Sequence, residues 1–248
     1  MIELKTAGQI EKMRAAGRLS KQALELAGSM VREGITTKEI DDAVRKFILS
    51  QGGTPSFLGY AGYPASVCLS VNDEVIHGIP GKRVLKNGDI VSVDVGAMVD
   101  GWHGDNAWTF AVGEIAPETQ KLLDVTRACL DTAISLVKPG VRLGDIGYAI
   151  QSLAESHGYG VVREFIGHGI GREMHEGPDV PNYGKPGRGL RLEEGMTIAI
   201  EPMINLKGHG VRQLSDGWTV VTASGSVSAH FENTIAVTRD GAEVLTKI

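Results

Sequence analysis

Leu85–Asp94 reads LKNGDIVSVD, and Leu192–Glu201 reads LEEGMTIAIE. Both open on leucine, turn at a glycine, run through alternating or apolar residues and end on a carboxylate. That is the pattern of a turn feeding a strand, and it occurs twice, 192 − 85 = 107 residues apart. Other landmarks keep nearly the same distance. VREGITTKEIDDAVRKFILSQGG from Val31 and VKPGVRLGDIGYAIQSLAESHGY from Val137 are offset by 137 − 31 = 106. Gly34 meets Gly140, Ile40 meets Ile146, Ala43 meets Ala149 and Gly52 meets Gly158. Each stretch reads as a turn, a helix with apolar positions three and four apart, and a glycine stop. A further helical stripe precedes each one: Ile10, Met13, Ala16, Ala23, Ala27 and Met30, then Leu122, Val125, Ala128, Thr132 and Leu136. A second strand follows each LxxG turn, HGDNAWTFAV from His103 and HFENTIAVT from His230, so that Asp105-Asn106 mirrors Glu232-Asn233. HGIP at His77 likewise mirrors HEGP at His175.

One such match would be chance, but several in the same order indicate a duplication. The expected class is α+β, with one domain over residues 1–248 built from pseudo-halves at roughly 8–113 and 114–240. Antiparallel strands of both halves join in one curved sheet, helices cover its outer face, and a pseudo-twofold axis relates the halves. A site near that axis draws residues from both.

Composition narrows the function. The chain has 248 residues, 42% of them hydrophobic and 22% charged, the balance of a globular protein with a substantial core. A net charge of −5 lacks the basic footprint of a nucleic-acid binder. No apolar run approaches the ~20 residues of a membrane span, and MIELKTAGQIEKM contains no signal core. Cys68 and Cys129 fit no metal motif, so a reduced, cytoplasmic setting is expected.

REFIGHGIGREMHEGPD, Arg163–Asp179, carries no dinucleotide loop and no HExxH zinc helix, because Gly-Pro follows His175-Glu176. Its meaning depends on the acids elsewhere. An acid on a strand is ordinarily a solvated edge residue. That reading suits Asp94 and Glu201 poorly, since they end the apolar runs DIVSVD and MTIAIE and buried carboxylates need partners. If Asp94, Asp105, Glu201 and Glu232 converge, their repulsion raises their pKa values and destabilises the fold unless cations are present. Two divalent ions balance four carboxylates. His168 has no counterpart in the first half, and its imidazole suits a first-row ion. Alone it would be a satisfied core histidine; beside four acids it reads as a ligand.

SVDVGAMVDGWHGDNAWTF, GHGIG, Glu201-Pro202 and FENT closely resemble the methionine aminopeptidases, from end to end of the chain and in the specific order Asp-Asp-His-Glu-Glu. The resemblance is to the short bacterial type I class, with no long N-terminal extension and no large insertion in the second half. It implies the duplicated pita-bread fold of the family M24 metallopeptidases. It also implies two divalent ions (Co, Mn, Fe or Zn) and removal of the initiator methionine from nascent polypeptides, with a small second residue preferred. Asp105 and Glu232 would bridge the ions, Asp94 would complete one shell, and His168 and Glu201 the other. The substrate amine would bind the ion held by Asp94. Glu201 would carry the proton, while His77 and His175 would face the peptide.

By the same resemblance the methionine pocket includes Phe57, Tyr60, Tyr63, Cys68, Met174 and Trp218, each of which core packing would also explain. Met174, His230 and Asn233 depart from the Phe, Gln and His common at these places. His103 and His230 are expected as supporting or exposed residues rather than ligands, and His157 and His209 as loop residues. A monomer that acts near the ribosome exit region, with no membrane and no specific nucleic acid, completes the expectation. The rivals are a prolidase of the same fold and a metal-free binding protein that kept only the shell.

Overall fold

The computed structural model describes residues 2–247. The first half runs α1 (Ala7–Met30), α2 (Thr37–Ser50), β1 (Thr54–Pro55), a 3-10 turn (Tyr60–Gly62), β2 (Cys68–Val71), β3 (Glu74–Ile76), β4 (Ile90–Val99) and β5 (Trp102–Ala111). The second runs α3 (Pro117–Leu136), α4 (Leu143–Ser156), β6 (Gly160–Val161), β7 (Gly167–Gly169), β8 (Glu176–Val180), β9 (Thr197–Ile200) and β10 (Met203–Asn205). It ends with β11 (Val211–Gln213), β12 (Val220–Thr222), β13 (Ser228–His230), β14 (Glu232–Thr238) and β15 (Gly241–Val244).

Nine strands form one antiparallel sheet in the order β1-β4-β5-β14-β9-β7-β8, with β2 on β4 and β15 on β14. The halves meet where β5 pairs β14, with Asn106 opposite Asn233. These are repeat mates, so the pseudo-twofold axis passes between them. Backbone angles repeat as well: φ is +86° at Gly34 and +90° at Gly140, +78° at both Gly52 and Gly158, and +94° at Gly88 and +91° at Gly195. These left-handed turns favour glycine, which is why the glycine landmarks survive in both halves.

Helices α1 and α2 pack on β2 and β4 around Leu24, Ile40, Val44, Ile48, Leu69 and Val93. Helices α3 and α4 pack on β9, β10, β13 and β14 around Leu122, Cys129, Ile146, Ile150, Ile198 and Ile235. Ile40 with Ile146, and Val44 with Ile150, are repeat mates and fully buried. Capping boxes from Thr6 to Gln9 and from Thr36 to Glu39 start α1 and α2. At α4 Arg142 replaces the threonine, and Asp145 still accepts the Arg142 N–H at 3.1 Å.

The stripe expected on α3 is rotated. Leu136 is exposed and Ala128 and Thr132 are half-buried, while Leu123, Thr126, Cys129, Leu130 and Ala133 face the core. Thr126 is tolerated there because its hydroxyl donates to the Leu122 carbonyl at 2.7 Å. Among the described residues, no helix is long and apolar enough to cross a membrane.

One contact fixes how closely α1 approaches the sheet. A Cβ at Gly104 would lie 2.6 Å from the Gly17 backbone nitrogen. Gly104→Val therefore forces helix and strand apart at the residue preceding Asp105. Overpacking of this kind costs about 1–3 kcal/mol, so thermal unfolding should show Tm lowered by roughly 2–12 °C. An unchanged Tm would contradict the close approach.

Candidate metal centre

Strand register gathers the acids. In β4, Asp94 stands opposite Cys68 on one side and Ala107 on the other. Ala107 in turn stands opposite Glu232. Directly paired residues share a face, so Asp94 and Glu232 project to the same side across three strands. Asp105 lies two before Ala107 on β5 and joins them. Glu201 follows the last residue of β9, whose Ile200 pairs with Asn233. His168 comes from β7, next to Gly169, which pairs with Ile198 of β9.

The thirteen residues expected to bind metal or substrate line one cavity of about 550 Å³: the five acid and imidazole donors, His77, His175, Phe57, Tyr60, Tyr63, Cys68, Met174 and Trp218. Tyr63, Cys68, Met174 and Phe57 are buried in its wall, and Tyr60 stands exposed at its rim. Ile76 and Phe165 also line it and were not anticipated. The Phe165 ring meets His77 edge-on at 5.8 Å, and Trp218 does so at 6.1 Å. Only the position of Phe165, two residues before GHG, hinted at this. The His175 Nδ1 is hydrogen bonded to the Tyr60 hydroxyl at 2.7 Å, and its ring centroid lies 4.1 Å from that of His168.

The donor chemistry fits a cation. His168 Nδ1 lies 2.9 Å from the Gly169 carbonyl, which can only accept, so Nδ1 carries the proton. Burial and then His175 lower the His168 pKa to about 3, so the ring is neutral. Its Nε2 therefore presents a lone pair to Asp105 Oδ2 at 3.9 Å and Glu201 Oε1 at 3.7 Å. A lone pair facing carboxylate oxygens requires either a proton on the carboxyl or a cation between them. Asp94 Oδ1, Asp105 Oδ1 and Glu232 Oε1 are buried without a hydrogen-bond partner in the protein, and such orphans call for a water or an ion. Asp105, His168 and Glu232 offer three ligand atoms mutually within 4.8 Å.

The profile of metallopeptidase family M24 matches residues 11–239. The chain is 48% identical to methionine aminopeptidase 1 of Bacillus subtilis and 50% identical to the Clostridium perfringens methionine aminopeptidase, each over 100% of both chains. The chain belongs to metallopeptidase family M24. The crystal structure of methionine aminopeptidase from Rickettsia prowazekii superposes on this M24 chain with TM-score 0.98 at 46% identity, over 100% of both. Prolidase from Pyrococcus furiosus shares the fold at TM-score 0.81 and 23% identity, covering 99% of this chain and 65% of that one. Membership and donor set together assign divalent-metal binding to the M24 chain.

His103 supports, as expected, through a 2.8 Å hydrogen bond between Nδ1 and the Ser56 hydroxyl. His157 and His209 are exposed outside strands and helices. His230 is not exposed. It is buried at 1%, because β13 leaves the main sheet at Phe231 and pairs instead with β10.

Burial is the first cause of a raised pKa at all four acids, and Asp105 and Glu201 both rise to about 8. A raised acid stabilises the fold below its unfolded value of about 4 and loses that stability as pH climbs through its folded value. Buried His77 and His168, lowered to about 4 and about 3, act oppositely, but only below the unfolded histidine value of about 6.5. Between pH 6.5 and about 9, then, the Tm of the metal-free protein should fall. A divalent ion at 100-fold its Kd contributes ~2.7 kcal/mol, raising Tm by roughly 5–11 °C and removing the decline. A metal-free Tm that is flat across this window would contradict the burial of these charges.

Proposed function

We propose that this chain is a type I methionine aminopeptidase. In this reading Asp94, Asp105, His168, Glu201 and Glu232 would hold two divalent ions. It releases the N-terminal methionine of new polypeptides that carry a small second residue. The observation that carries the reading is the convergence of five buried donors and an apolar pocket in one cavity. The similarity of the whole chain to proteins named methionine aminopeptidase supports it. Carboxylate and imidazole donors together accept Mn, Fe, Co or Zn, so supply in the cell selects the ion.

A divalent ion at this centre supplies Lewis acidity and lowers the pKa of a bound water towards neutrality. The protein's own groups do the rest. Phe57, Tyr63, Cys68, Met174 and Trp218 hold the methionine side chain away from water. The Tyr60 hydroxyl lies 2.7 Å from His175 Nδ1; in the tautomer protonated at Nε2, His175 accepts there and would donate its Nε2–H to the methionyl carbonyl oxygen as negative charge develops. Glu201 accepts a proton as the water oxygen bonds to the carbonyl carbon, and returns it to the nitrogen as the C–N bond breaks. Its backbone is held by Asn182, whose side-chain amide donates to the Glu201 carbonyl at 2.9 Å. His77, wedged between Phe165 and Trp218, faces the scissile amide.

The test compares Met-Ala-Ser, Leu-Ala-Ser and Ala-Pro with the metal-loaded protein. Release of free methionine from the first is expected, with leucine disfavoured by roughly 10–200-fold in kcat/KM and Ala-Pro left intact. Cleavage of Ala-Pro in preference to Met-Ala-Ser would replace this reading with a prolidase.

A further inference from the structure

His230 closes β13, where Met203 of β10 pairs with it. Its backbone is clamped on both sides by Thr109: the His230 N–H donates to Oγ1 at 2.9 Å, and Oγ1 lies 2.9 Å from the His230 carbonyl. The side chain is buried, and neither Nδ1 nor Nε2 has a hydrogen-bond partner. An unpaired buried polar group destabilises the fold, and an apolar residue of similar shape would avoid that cost.

The ring's surroundings account for it. Nε2 lies 3.4 Å from Glu201 Oε2, while the other oxygen of the same carboxylate lies 3.7 Å from His168 Nε2. Glu201 is thus flanked by two imidazoles, one at each oxygen. Glu201, His230 and Glu232 offer ligand atoms mutually within 4.8 Å, and this group shares Glu232 with the group of Asp105 and His168.

We propose that His230 is a further metal ligand, giving the centre a second nitrogen donor through the set Glu201, His230 and Glu232. The inference rests on the metal-dependent reading above. A second imidazole in place of the expected glutamine makes the donor set softer, so the centre favours Zn²⁺ and Co²⁺ over Mn²⁺ more than a single imidazole allows.

The test is a Zn²⁺ titration of wild-type protein with ¹⁵N-labelled histidine, followed by NMR. The His230 and His168 signals are assigned from His230→Gln and His168→Gln spectra. Ring nitrogens of both residues should move into the metal-bound range. In parallel, His230→Gln should lose at least ~10-fold in Zn²⁺ affinity, with a smaller loss for Mn²⁺. If Zn²⁺ binds and shifts His168 but leaves His230 unmoved, or moves its proton to Glu201 alone, the proposal fails and the metallopeptidase reading stands. If wild-type protein binds no Zn²⁺ at this cavity, both fail.

Discussion

Glu232→Gln is expected to lose roughly 10³-fold or more in kcat/KM on Met-Ala-Ser. Glu232 belongs to both donor groups, so the neutral amide weakens every ion bound there. A divalent ion contributes several kcal/mol to charge stabilisation in the transition state, and each 1.36 kcal/mol is tenfold in rate. The same change should stabilise the metal-free protein. Burial, then Asp105, Glu201 and Asp94, hold the Glu232 pKa well above the ordinary carboxylate range, so the wild-type fold loses stability when that group ionises. At pH 8–9 the metal-free variant should melt above metal-free wild type, and added ions should no longer raise its Tm. Lower activity with a lower metal-free Tm would instead mean that Glu232 is a structural residue. Opposite signs for function and stability are the signature of a site that stores repulsion for use.

His175→Ala is expected to lower kcat by about 10²–10³-fold, the usual cost of removing one oxyanion donor, with metal content unchanged. His175 stands beside the donor cluster rather than within either ligand group. Tyr60→Phe removes the hydroxyl that orients the ring but keeps the imidazole, and should fall between wild type and His175→Ala. A fully loaded His175→Ala protein with wild-type kcat would remove His175 from the mechanism.

The repeat was legible because its markers obey local rules. Left-handed turns keep Gly34, Gly88, Gly140 and Gly195 wherever the architecture recurs. Asp94 and Glu201 stood out because a carboxylate at the end of an apolar strand has no cheap resting place. Where the expectation failed, a polar residue was satisfied within its own helix or the deciding contact lay outside the local pattern. The buried face of α3 includes Thr126, whose polarity is cancelled by its own helix, so an apolar stripe drawn through Thr132 and Leu136 drifted off the core.

His230 was expected on one strand with Glu232, but it ends β13, which pairs with β10 in a separate sheet, and its backbone is held by Thr109, 121 residues away in the chain. The Tyr60–His175 contact likewise joins residues 115 apart in the chain. The buried ion pair of Lys5 with Glu176, which ties the segment before α1 to β8, left no sequence signal either.

The central claim is that acids from both halves and an imidazole hold divalent ions at the pseudo-twofold axis. Crystals grown with Co²⁺ or Mn²⁺, measured at the metal's absorption edge, test it most directly. The account predicts anomalous peaks in this cavity about 2.0–2.3 Å from carboxylate oxygens of Asp105 and Glu232, with one of them also within bonding distance of His168 Nε2. A map with no peak among these side chains in crystals of ion-saturated protein would contradict it.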